Sequence, residues 1–209
     1  MSVTVLLSLA PPDGTTRYVC QLVDGRAKGV IYKFFAWKTA LLGRYDVFHV
    51  HWPEHLLRAT TPLRRLVRRL LFRLLLVRLH WSHRAVVRTL HNLQPHEAVS
   101  PAEARLLCLL DAGTTLFIYL NASVTMASPN CVVIPLGHYR GRYPAALAPT
   151  VERGRLLSFG IIRPYKGVDR LLEVFHRVED PALSLRVVGQ PTPGWRTVVE
   201  RACERDPRP

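Results

Sequence analysis

Three groups of residues have types and spacings that can do chemistry. Arg163 and Lys166 follow an apolar run ending at Gly160, and Gly167 comes directly after them. Two cations at a strand end, beside the positive end of a helix starting near Gly167, suit a group that carries or develops negative charge. His91 follows another apolar run, Ala85–Leu90, with Asn92, His96 and Glu97 close behind. An imidazole placed there can bind a substrate hydroxyl or take its proton. His49 and His51 share one face of a strand, because side chains alternate, and Glu54 and His55 follow them. By residue type alone that third group can hold a metal.

The surrounding pattern says what must position these residues. Val3–Leu9 reads as a buried strand closed by Pro11-Pro12-Asp13-Gly14, and 18–27 as a helix. Further strands are expected at 30–35, 46–51, 85–90, 116–120 and 132–134. Ser100-Pro101-Ala102-Glu103 has the form of a capping box opening a helix that runs to about Asp111. Apolar strands alternating with helices predict an α/β fold: a parallel sheet covered on both faces, with ligands beyond the carboxyl ends of its strands. Pro, Ala and Gly then break the pattern, and a linker is expected at 146–154 between a first domain, 1–145, and a second, 155–209. The second begins with a strand at 155–159, a helix at 167–178 and a strand at 183–188, one βαβ unit followed by one more helix. A full domain of this kind takes roughly 100–150 residues, so the second reads as incomplete.

The 209 residues carry 29 basic and 15 acidic side chains, a net charge of +14, and 48% of them are hydrophobic. That composition excludes a disordered chain and predicts an anionic partner: nucleic acid, lipid or phosphate-bearing substrate. Cysteines at 20, 108, 131 and 203 lack CxxC spacing, which argues against a zinc knuckle or a disulfide framework. Neither a signal peptide nor a spanning apolar run of ~18 residues is read, so a cytoplasmic chain is expected. A GxGxxG run and a P-loop are absent, which disfavours a dehydrogenase or a P-loop NTPase. The rival reading, a basic nucleic-acid-binding protein, has charge in its favour but no recognisable binding motif.

The segment 62–88 contains Arg64, Arg65, Arg68, Arg69, Arg73, Arg78, Arg84 and Arg88 and no acidic residue. As a helix it gathers Leu63, Leu66, Val67, Leu70, Leu74 and Val77 on one face and Arg64, Arg65, Arg68, Arg69 and Arg73 on the other. A basic amphipathic helix reads as a membrane-surface element, each cation near an anionic leaflet contributing roughly 1 kcal/mol. The plainer alternative is a helix covering the sheet with a solvated basic face.

Four segments, in order, carry a resemblance to a known family. They are Asp46-Val-Phe-His-Val-His-Trp-Pro-Glu54, Thr89-Leu-His-Asn-Leu-Gln-Pro-His-Glu97, Ile134-Pro-Leu-Gly-His-Tyr-Arg-Gly-Arg-Tyr-Pro144 and Phe159-Gly-Ile-Ile-Arg-Pro-Tyr-Lys-Gly167. Together they resemble the GT-B glycosyltransferases of the family 4 type, enzymes with two Rossmann-like domains. Two departures stand out: Ile161 where many relatives have arginine, and Leu136 where a histidine is usual.

The resemblance implies a sugar transferase using a nucleotide-diphosphate sugar and a lipid-linked or polysaccharide acceptor, peripheral on the cytosolic membrane face. It implies that Gly160, Arg163 and Lys166 hold the donor diphosphate, whose leaving group gains negative charge. It places His91 as the catalytic or acceptor-contacting residue, and His51, Glu54, Asn92, His96, Glu97 and His138 around the acceptor cleft. It implies no bound metal and no cofactor, the nucleotide-sugar being a substrate, and no nucleic acid. The late Glu-rich donor motif of such enzymes has no counterpart after Gly189. A truncated, inactive glycosyltransferase fragment is therefore the alternative within the same fold.

Overall fold

The structure is a computed structural model that describes residues 2–13, 17–91, 99–122, 129–139 and 151–204. The chain divides into two compact units, Met1–Tyr139 and Arg140–Pro209.

In the first unit six strands form one sheet in the order β2-β1-β3-β4-β5-β6. They are β1 (Val3–Leu7), β2 (Val30–Phe34), β3 (Val47–His51), β4 (Ala85–Leu90), β5 (Leu116–Tyr119) and β6 (Cys131–Val133). Every pairing is parallel. The helices are α1 (Arg17–Asp24), α2 (Trp37–Leu42), α3 (Glu54–Leu57), α4 (Pro62–Trp81) and α5 (Pro101–Ala112). The strands lie within a few residues of where the apolar runs put them. The short helices α2 and α3 were not foreseen, since one or two turns leave no readable 3.6-residue period.

Alternation along each strand divides the core in two. Leu6, Phe48, Val50 and Val86 point to the face covered by α4 and α5, where they meet Phe72, Leu75, Leu79, Leu107 and Leu110. Val5, Leu7 and Val47 point to the other face, where Tyr18, Val19 and Leu22 of α1 pack on them. Each such side chain, fully buried, contributes about 1.5–3 kcal/mol. Helix α5 starts with the expected capping box: Ser100 accepts from the Glu103 amide, and Glu103 accepts from the Ser100 amide. Arg69 of α4 donates to both Ser100 and Glu103 at 3.0 Å, which ties the two helices together.

Helix α4 covers the sheet, as the plainer of its two readings has it, but not with the leucine face. The side chains that meet the sheet are Phe72, Leu75 and Leu79. The leucine face, which would pack inward on the sheet-covering alternative, looks outward, with Leu63, Leu66, Val67, Leu70, Leu74 and Val77 all exposed, Leu70 at 54% and Leu74 at 56%. Three of the five arginines expected on a free basic face reach back to the protein. Arg65 donates to the Ala59 carbonyl, Arg68 to those of His55 and Arg58, and Arg69 to α5. Arg64 and Arg73 remain on the exposed surface, flanking the leucine stripe. The physical reason is that backbone carbonyls at the α3 end give guanidinium groups better partners than water does.

The second unit holds a parallel pair, β7 (Arg155–Phe159) and β8 (Ser184–Val188), with α6 (Val168–His176) between them and α7 (Arg196–Glu204) after. Helices α6 and α7 pack together. Of the expected linker, 146–150 lies outside the described residues, and 151–154 leads into β7. Among the described residues no helix is long and apolar enough to cross a membrane.

Candidate functional site

The carboxyl edge of β3 and β4 brings three imidazoles together on the α1 face. His51 ends β3 beside Thr89 of β4, and His49 is two residues earlier on the same face. His91 follows β4 directly. Its Nε2 lies 3.1 Å from His51 Nδ1. His49 Nε2 lies 2.8 Å from Thr89 Oγ1. The Ser8 hydroxyl, after β1, accepts from the His51 amide at 2.7 Å and donates to its carbonyl at 2.8 Å, so the backbone of His51 is fixed on both sides.

Two residues that the sequence did not mark complete this cluster. Tyr18 of α1 sets its hydroxyl 3.4 Å from His51 Nδ1 and its ring edge-on to His91 at 4.9 Å. Trp52 stacks on His91, with centroids 3.8 Å apart and planes 20° from parallel. Trp52 also has φ of 44°, a left-handed conformation that costs a bulky residue energy and collects at functional sites. The available signal was an aromatic residue directly after a strand ending in His-Val-His.

All three imidazoles are held neutral. Burial pushes His91 down to about 4. Burial, then the nearby His91, pushes His49 to about 4. Burial, then His49 and His91, pushes His51 to about 2. Burial likewise raises Tyr18 to about 12, so its hydroxyl keeps its proton. His51 is 1% exposed, and its Nε2 has no hydrogen-bond partner among the described residues. A bare ring lone pair is cheaper to bury there than an orphaned N–H. The proton of His51 therefore belongs on Nδ1, donated to His91 Nε2, and His91 keeps its own on Nδ1. In that tautomer His91 is a hydrogen-bond donor through Nδ1, steadied by Trp52 on one side and His51 behind it.

The other expected cleft residues fall differently. His51, expected in the cleft, stands behind His91. Glu54 begins α3, and its charge acts on Arg88, which pairs with Asp111 of α5 on the other face of the sheet. His138 is exposed, and its carbonyl accepts from Gln21 at 2.9 Å. Asn92, His96 and Glu97 lie outside the described residues. Among the described residues no group of three or more His, Cys, Asp or Glu is placed to hold a metal ion.

In the second unit, β7 ends at Phe159 and the chain turns through Gly160, whose φ is 112°. The positive φ is what calls for glycine at 160, and the Lys166 ammonium lies over the turn, 2.8 Å from where a Cβ would stand. A 3-10 turn, Pro164–Lys166, follows Arg163, and Gly167, with φ of 62°, opens α6. Lys166 is exposed and Arg163 half-buried. Two cations and the amino end of α6 thus stand within one short turn.

No protein-family model matches the chain. Two GDP-mannose:glycolipid 4-beta-D-mannosyltransferases of Xanthomonas campestris pv. campestris are each 46% identical to it over 208 residues, 99% of this chain. The chain spans about 60% of the length of these relatives. Among solved structures, Anabaena Alr3699/HepE in complex with UDP and glucose superposes with a TM-score of 0.62 at 12% identity, covering 98% of this chain and 65% of that one. The same protein in complex with UDP gives 0.57 at 14%. The four motifs, the parallel six-stranded sheet, the second βαβ unit and these likenesses agree: the chain has a GT-B-like α/β fold and is similar to glycolipid mannosyltransferases over the part of their length that it spans.

Proposed function

We propose that the chain serves glycosyl transfer from a nucleotide-diphosphate sugar to a lipid-linked or polysaccharide acceptor at the cytosolic face of a membrane. The observation that carries the reading is the neutral His91–His51 pair at the carboxyl edge of the sheet, in a chain 46% identical to glycolipid mannosyltransferases. His91, through Nδ1–H, hydrogen-bonds the transferring sugar or the acceptor, and Trp52 offers an aromatic face beside it. Arg163, Lys166 and the amino end of α6 hold the diphosphate and stabilise the charge that grows on it as the glycosidic bond breaks.

The relatives' name favours GDP-mannose as donor and a glycolipid as acceptor. Calorimetry with GDP-mannose and UDP-glucose, and transfer of labelled mannose to a glycolipid extract, test this. Preference for UDP-glucose would redirect the donor, and binding of neither by the 209-residue chain would place the main donor contacts outside this span.

Membrane attachment rests on the outer face of α4 rather than on a free arginine face. The leucine stripe enters the interface, Arg64 and Arg73 meet lipid phosphates, and Trp81, 78% exposed, sits at headgroup level. The chain is expected to sediment with anionic vesicles, to be released in part as salt rises, and to lose binding in a Leu70→Asp, Leu74→Asp variant. Unchanged sedimentation of that variant would refute the assignment of this face.

A further inference from the structure

The outer face of α4 runs into a groove at its carboxyl end, between α4, the end of α5 and the start of β4. The groove has a volume of about 670 Å³, within the range of small-molecule sites. Leu76, Leu79, Val86 and Leu110 make it apolar inside. Arg73, His80, His83 and Arg84 line it with basic groups, and no carboxylate is among its lining residues. Arg84 is held in place, its guanidinium 4.5 Å over the Tyr45 ring and its Nε donating to Ser82 at 3.1 Å. His83 takes a left-handed φ of 49°, a strained backbone for a non-glycine residue on the groove wall. The groove lies at the amino end of β4, the opposite edge of the sheet from His51 and His91, so it is not the sugar site.

We infer that this groove seats the headgroup and upper acyl chain of one anionic phospholipid drawn from the bilayer on which α4 rests. An apolar interior lined by two arginines and no carboxylate matches an amphiphile whose head is negative. Continuity with the membrane-facing stripe gives the lipid its entry: Val77, Trp81 and Arg73 belong to both. The inference rests on the proposed membrane attachment of α4 and adds a single stoichiometric site to it.

The test uses short-chain phosphatidylglycerol below its micelle concentration, with short-chain phosphatidylcholine and inorganic phosphate as comparisons, followed by calorimetry on the 209-residue chain. Phosphatidylglycerol is expected to bind one per chain, and phosphatidylcholine about ten-fold more weakly. An Arg73→Gln, Arg84→Gln variant, with its fold checked by circular dichroism, is expected to lose about ten-fold in affinity. Trp81→Ala, at an exposed position, gives a second variant expected to weaken the same binding. Equal binding of the two lipids, binding unchanged in both variants, or displacement by equimolar phosphate would overturn the inference. Vesicle binding without any binding of monomeric lipid overturns the groove and leaves the membrane reading standing, whereas loss of vesicle binding by the unmodified chain overturns both.

Discussion

The turns after β4 and after β7 are built from the same topological element, the loop at the carboxyl end of a parallel strand, yet they treat charge in opposite ways. At the end of β4 the structure packs His91 beside His49 and His51 of β3, and burial holds all three rings neutral. After β7 it leaves one cation exposed and one half-buried, with the ammonium over a turn made by a left-handed glycine. The difference teaches where each kind of chemistry can reside. A neutral donor fixed by packing discriminates hydroxyl geometry without attracting anions, whereas cations beside a helix amino end collect and stabilise phosphate charge. On the proposed function the first turn handles sugar and acceptor, and the second handles the leaving group.

The largest effect is expected from removing charge where charge is used. Lys166→Ala in the transfer reaction should lower turnover by roughly 10²–10³-fold, the loss of about 2.7–4 kcal/mol of transition-state stabilisation. Lys166→Arg should recover part of it. Steady-state kinetics with a saturating donor decide, and an unchanged turnover would remove the charged half of the comparison.

Next comes His91. His91→Ala is expected to cost about 10²-fold in turnover, at the low end for a side chain acting on a proton or hydroxyl. Because the ring is neutral, His91→Asn should retain more activity than His91→Lys, which brings a charge into a pocket that excludes it. The reverse ranking would mean that this turn, too, works through charge.

A smaller effect tests the packing behind the site. Thr89→Val keeps the shape but removes the hydroxyl bonded to His49 at 2.8 Å, leaving a buried ring nitrogen without its partner. The expected cost is about 1–3 kcal/mol of stability, read from urea midpoints. Nearly full activity in the surviving folded fraction is expected, since Thr89 bonds His49 and Tyr18 rather than His91. A selective loss of turnover without loss of stability would show that the hydroxyl acts on substrate.

Much of the scaffold was legible in the sequence, because each strand of the first unit is a compact β-branched or apolar run between turn residues. The shared face of His49 and His51 was legible too, since alternation is a property of any strand. Their meeting with Tyr18 was not: it depends on how α1 crosses the sheet, with Tyr18 and His51 33 positions apart in the chain. The left-handed backbone of Trp52 likewise has no signature in residue type. Helix α4 left two readings open for a different reason. It is apolar on both faces, Phe72–Leu75–Leu79 on one side and Leu63 to Val77 on the other, so the pattern alone does not say which side meets the sheet. Arginine adds to the ambiguity, because its long stem and five donors let it serve as an inward tie as readily as an outward charge.

The smallest effect is a pH dependence that should be shifted, not absent. An ordinary histidine titrates near 6.5, but His49 and His91 are held to about 4 and His51 to about 2. Unfolding releases the rings to 6.5, so between pH 6.5 and 4 the unfolded chain binds protons that the folded pocket refuses. The pocket's contribution to stability is therefore fully present above pH 6.5 and declines as pH falls through that window. Urea midpoints at pH 7.5, 6.5, 5.5 and 4.5 should fall on that schedule, and fall less steeply in a His49→Gln variant, which removes one of the refused protons. Ring nitrogen shifts measured by NMR give the site-specific counterpart: His91 should stay neutral, protonated on Nδ1, down to about pH 5. Transfer rates should correspondingly show no imidazole inflection near 6.5. A His91 titration at its ordinary value would mean that the ring is solvated and charged at neutral pH, and the contrast between a neutral turn and a cationic turn would dissolve.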